Sequence, residues 1–186
     1  MKRHQSKTRH LTVLAMCTTV ALLLSYVEFL LPPLFVAVPG IKMGLPNIAI
    51  IFVLYSAGVR SAAAVSFVRL TISSMLFGSA MTFAYSLAGA VLSLAVMALL
   101  KRLSILSAVG VSVAGGVMHN VGQILVAIFL LNTPQIAYYM IVLAVTGTIS
   151  GILVGLCGAY LIKKSNLSRF LKYHNVFVFK YEKAAC

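Results

Sequence analysis

LTVLAMCTTVALLLSYVEFLL, residues 11–31, holds twenty-one residues with a single charge, Glu28, and follows a basic stretch carrying Lys2, Arg3, Lys7 and Arg9. At 1.5 Å per residue a helix of this length reaches about 30 Å, the thickness of a bilayer's hydrocarbon core. A cationic flank before an apolar run also opens secretory signals, but their apolar core is only about 7–15 residues long. The run is therefore expected to stay in the protein as a first membrane helix.

The same ruler finds further apolar segments at residues 47–58, 61–77, 83–100, 105–131 and 137–162. Together they predict an all-α, polytopic membrane protein of six transmembrane helices. The second segment is short: either it begins earlier, near Ile41, or it does not cross fully. The fifth is long, which predicts a tilt, or a break at Gly115 and Gly116.

Composition agrees. Hydrophobic residues make up 61% of the chain, and fifteen Lys and Arg stand against two acids, Glu28 and Glu182, with no aspartate. A water-soluble fold needs more charge to cover so apolar a surface. The net charge of +13 does not read as nucleic-acid binding, because it hugs the ends of apolar segments; anionic lipid headgroups are the expected counter-charge. With both termini cytoplasmic, thirteen of the fifteen basic residues fall on the inside: the N-terminal four, Arg60, Lys101, Arg102, Lys163, Lys164, Arg169, Lys172, Lys180 and Lys183. Only Lys42 is left outside, and Arg69 within a helix. That bias fixes the expected orientation.

Three parts follow: a basic N-terminus at 1–10, a transmembrane domain at 11–162 and a basic tail at 163–186. The tail mixes aromatics with lysines, so it either lies along the cytoplasmic membrane face or is loosely ordered. Cys17, Cys157 and Cys186 form neither a disulfide framework nor a metal spacing.

Polar groups inside a bilayer are costly and mark candidate sites. Arg69 sits nine residues beyond Arg60, near mid-membrane. His119, Asn120 and Gln123 lie in the outer half of the fifth helix, with His119 and Gln123 four apart on one face. Glu28 is close to the outer end of the first helix, and Lys42 and Asn47 belong to the outer loop and the helix start after it. The shared depth predicts a substrate pocket open to the outside, where Arg69 and Lys42 suit an anionic or strongly polar ligand. The bland alternative is that Arg69 and Glu28 only pair with each other, and that His119 and Asn120 only bond neighbouring helices.

Small residues carry a second pattern. Gly147, Gly151 and Gly155 recur every four residues, a stripe that lets another helix approach closely. The first helix shows Ala15 with Thr19, and Cys17 with Ala21, at the same spacing. No Walker loop is present, no carboxylate cluster could hold Mg²⁺ on a diphosphate, and no His pair or Ser-His-Asp set appears. No catalytic residue, metal or cofactor is therefore expected, and the chain is not expected to be an enzyme by itself.

The stretch PGIKMGLPNIAIIFVLYSAGVRSAAAVSFVRLTISSMLFGS, with YSLAGAVLSLAVMALLKRL after it, resembles a bacterial membrane family; so does GVSVAGGVMHNVGQILVAIFLLNTPQIAYYM, residues 110–140. The family is known both as Gx transporter and as heptaprenyl diphosphate synthase component I, and is similar to the S components of energy-coupling factor (ECF) vitamin transporters. The resemblance implies a six-helix substrate-binding subunit in the bacterial cytoplasmic membrane, taking up a small nutrient- or vitamin-like molecule. Its pocket would be capped by the loop at residues 32–46. It also implies docking on a transmembrane T subunit through small residues of the first helix, which Ala15, Thr19 and Ala21 match in part, with separate ATPase subunits supplying energy. The synthase name implies a different role, in isoprenoid or quinone biosynthesis. Prenyl chain elongation depends on aspartate-rich Mg²⁺ sites, so a chain without aspartate would serve a synthase only as an accessory or anchoring component.

Overall fold

The computed structural model describes residues 2–30, 44–132, 138 and 140–164. They form six helices and no strand: α1 (Lys2–Leu30), α2 (Asn47–Ala57), α3 (Val59–Phe77), α4 (Ala80–Leu103), α5 (Ala108–Leu131) and α6 (Met140–Lys164). Five of these are long and apolar enough to span a bilayer. They also expose large apolar side chains, among them Leu11, Met75, Phe129 and Ile141. A water-facing surface would bury such groups, whereas lipid accepts them. The chain is a multi-pass membrane protein.

Helix α2 is the exception. Eleven residues rise only about 16 Å, so it ends short of a full crossing, and it begins at Asn47 rather than near Ile41. It is apolar on every side, and a helix apolar all round belongs inside protein. Ala49, Ile50, Ile51, Phe52, Val53, Leu54, Ser56 and Ala57 are all buried, with α1, α3 and α6 packed around it. Its last turn meets α4, where Lys101 Nζ donates to the Leu54 carbonyl at 2.5 Å and lies 5.0 Å from the centre of the Tyr55 ring. That ammonium satisfies one of the carbonyls a helix leaves open at its C-terminus. A single residue, Gly58, joins α2 to α3 at φ 90° and ψ 176°, a conformation that glycine adopts and side-chain-bearing residues avoid.

Helices α4, α5 and α6 pack most extensively, and glycine makes this possible. A Cβ on Gly116 would lie 2.5 Å from the Gly147 carbonyl oxygen, and one on Gly151 would lie 2.7 Å from Val113 Cα. The expected stripe of Gly147, Gly151 and Gly155 is thus the seam between α5 and α6. Helix α5 runs unbroken through Gly115 and Gly116. Here the expectation of a break gives way to packing, because Gly115 admits the Met97 side chain and Gly116 admits the α6 backbone. Caps set the ends: Ser79 and Ser107 accept the Thr82 and Gly110 N–H groups at the starts of α4 and α5. Such a side-chain bond satisfies a donor that the first helical turn leaves open.

Candidate ligand-binding site

Helix lengths place the polar residues at one depth. Arg69 is ten residues along α3, Asn47 ten residues back from the end of α2, and His119 eleven residues along α5. Each offset corresponds to about 15 Å from the same side of the bundle, half of a hydrocarbon core about 30 Å thick. The end of α2 that carries Asn47 therefore stops level with Arg69.

A cleft opens at that level. Among the described residues it is lined by Ser25 and Glu28 of α1, Gly44 and Asn47 before and in α2, Arg69, Leu70 and Ser73 of α3, Ser86 of α4, and His119 and Gln123 of α5. Its empty space, counted together with the open solvent at its mouth, is about 400 Å³. A second, narrow space, about 270 Å³ when the open solvent is counted with it, shares Gly44 and Asn47 and continues between Ser93, Met97, Ser112, Gly116, Ser150 and Gly151.

Arg69 Nη1 donates to Ser25 Oγ at 3.3 Å, and that hydroxyl itself donates to the Ala21 carbonyl at 2.9 Å. Glu28 accepts the N–H of Gly44, tying α1 to the turn that opens α2. That turn is tight: Asn47, Ile48 and Ala49 donate back to the carbonyls of Gly44, Leu45 and Pro46, and Gly44 takes φ 80°. Glu28 also acts on Arg69 electrostatically, and Arg69 on His119. Gln123 Nε2 lies 3.2 Å from His119 Nε2. Both seat against α4 because position 89 is glycine; a Cβ there would come 2.7 Å from the His119 carbonyl oxygen and 3.0 Å from Gln123 Cγ.

Two polar atoms of the lining residues, Arg69 Nε and Gln123 Oε1, are sealed from solvent and have no hydrogen-bond partner among the described residues, whereas the His119 ring also meets the Gly89 backbone. Buried polar groups are nearly always paired, so two unpaired ones on neighbouring lining residues mark this part of the bundle as unusual.

The structure therefore brings together Glu28, Asn47, Arg69, His119 and Gln123, as expected from their depths. Asn120 is separate. Its Nδ2 donates to the Leu143 carbonyl at 2.7 Å, which makes it a bond between α5 and α6, as the bland alternative held. Lys42 lies outside the described residues, as does the tail from residue 165 on. Arg69 does not stand as an unanswered positive charge, because Glu28 in the same cleft acts on it electrostatically. Ser25, Gly44, Ser73, Ser86 and Gly89 were not foreseen; serine and glycine are frequent in membrane helices, and nothing in their spacing distinguishes these five. On α1, Ala15 and Thr19 are exposed, but Ala21 is fully buried. The expected docking face is thus split: Ala21 points into the bundle and supports the carbonyl that receives Ser25.

Among the described residues no three His, Cys, Asp or Glu side chains gather as metal ligands. No curated protein and no solved structure matches the chain. Residues 17–161 match the family described as heptaprenyl diphosphate synthase component I. A match over that much of the chain, on a helical membrane bundle, shows that this protein belongs to the heptaprenyl diphosphate synthase component I family.

Proposed function

We propose that the protein is the substrate-binding membrane subunit of an ECF-type transporter, an S-component-like bundle that captures a small nutrient- or vitamin-like molecule. The observation that carries this reading is the cleft that gathers Glu28, Asn47, Arg69, His119 and Gln123 from four helices, with Arg69 Nε and Gln123 Oε1 buried without partners among the described residues. A purely structural charge pair needs only Arg69 and Glu28. It gives no reason for an unsatisfied Gln123 Oε1 as well, a group that costs about 1–3 kcal/mol when left unpaired. In this reading the chain lies in the bacterial cytoplasmic membrane with both termini inside, following its basic residues. A T subunit and ATPase subunits supply the energy, and Ala15 and Thr19 remain available on the lipid-facing side of α1 for docking. The chain performs no chemistry of its own.

The family description favours a second reading, a non-catalytic accessory or anchoring component of a heptaprenyl diphosphate synthase. One experiment separates the two. The tagged full chain is withdrawn from bacterial membranes in mild detergent, and co-purifying proteins and small molecules are identified by mass spectrometry. T and ATPase subunits together with a bound small molecule support transport. A soluble aspartate-rich prenyl synthase subunit with an empty cleft overturns it. The identified molecule should lose at least about tenfold in affinity in Arg69→Ala and in His119→Ala.

A further inference from the structure

The narrow space lies beneath the cleft, where α4, α5 and α6 meet the first turn of α2. Helix lengths set its depth. Asn47 and Ser93 each lie ten residues from the end of the bundle that carries Lys101, and Ser112 only four. At 1.5 Å per residue the space therefore runs from about 15 Å to about 6 Å above that end. It adjoins the cleft at Gly44 and Asn47.

Its walls are polar without charge. Ser93, 3% exposed, and Ser112, 4%, both line it. A hydroxyl within a helix commonly donates back to a carbonyl three or four residues earlier, as those of Ser25, Ser74, Thr146 and Thr148 do here. Ser93 and Ser112 make no hydrogen bond among the described residues, yet neither is sealed as Arg69 Nε and Gln123 Oε1 are. Both hydroxyls are open to the space. Glycine brings them within reach of each other: a Cβ on Gly115 would lie 3.2 Å from Ser93 Oγ. Ser112 sits one turn away from Gly115 on the same face of α5, about 5–6 Å between Cβ positions, a gap that one bridging water closes. Ser150 donates to the Gly147 carbonyl at 3.3 Å, and its oxygen can still accept.

A polar cavity with room for one small molecule and two to four hydrogen-bonding groups around it is where buried water is found. The room between these atoms admits one water and little more. Among the described residues no carboxylate lines it, so nothing there offsets the charge of a cation within the bilayer. We propose that this space is a site for one ordered water molecule, held by Ser93 and Ser112 with Ser150 as a third partner. The water joins α4, α5 and α6 directly beneath the cleft, whatever the cleft itself binds.

The test is X-ray radiolytic footprinting of the full chain in lipid nanodiscs, read as methionine oxidation by mass spectrometry. Radiolysis of a bound water releases a hydroxyl radical where the water sits, and the buried Met97 borders the space. Met97 is expected to oxidise well above Met16, which is exposed on the outside of the bundle among lipid. In the Ser93→Ala, Ser112→Ala double variant the Met97 signal is expected to fall at least about threefold, because two bonds to the water are gone. Misfolding would raise Met97 oxidation, so a damaged protein cannot produce that fall. Exchanging choline for sodium in the buffer is expected to change nothing. The proposal is overturned if Met97 oxidises no more than Met16, or if the double variant behaves as the parent does. A fall on adding sodium would also overturn it, giving the space to a monovalent cation.

Discussion

Glu28→Gln changes one charge and almost no volume, and its effect should be large. Glu28 is 7% exposed and Arg69 6%, and both line the same cleft. Removing one member of a buried charge pair strands the other and costs about 3–5 kcal/mol, more than either hydrogen bond in the arrangement contributes. The glutamine carbonyl can still accept the Gly44 N–H, so the loss reports charge rather than the tie to the α2 turn. Arg69→Gln should also destabilise, because it removes the cation that acts on Glu28. The double variant removes both charges together and should be more stable than the sum of the two single losses predicts. The expected coupling is about 2 kcal/mol or more. Unfolding in mixed micelles with increasing dodecyl sulfate, followed by helical circular dichroism, measures all four proteins on one scale. Two single losses that simply add in the double variant would refute the reasoning, since they would show that neither charge depends on the other.

Gly116→Ala places a methyl 2.5 Å from the Gly147 carbonyl oxygen, so α5 and α6 must part; the same micelle unfolding should show a loss of about 1–3 kcal/mol. Asn120→Ala removes the bond to the Leu143 carbonyl and should cost about 1 kcal/mol. It should leave binding of the co-purified molecule unchanged, whereas Arg69→Ala abolishes it.

The sequence showed most plainly what lipid imposes: five long apolar runs, a glycine stripe and a charge bias that needed no tertiary information. The depths of Arg69, His119 and Gln123 were legible for the same reason, since a helix converts residue number into height. Direction around the helix was harder to read. Asn120 follows His119 by one residue, about 100° around α5, and this turn takes it from the cleft to the α6 seam. Ala21 went astray in the same way, because residue spacing along α1 does not say which side meets α3. Of the tilt or break expected of the long fifth segment, the break at Gly115 and Gly116 did not occur, for another reason. Glycine weakens a free helix, yet here it permits close contacts along an unbroken helix.

Gly58 leaves α2 with no spare chain toward α3. Such a joint forbids a piston stroke, since drawing α2 along its axis would drag α3 with it. It does allow a swing, like a door on its pin. A path from the cleft toward the α2–α3 corner would therefore have to open by rotation of α2. Lys101, reaching from α4 to the Leu54 carbonyl, is the latch such a swing would have to release.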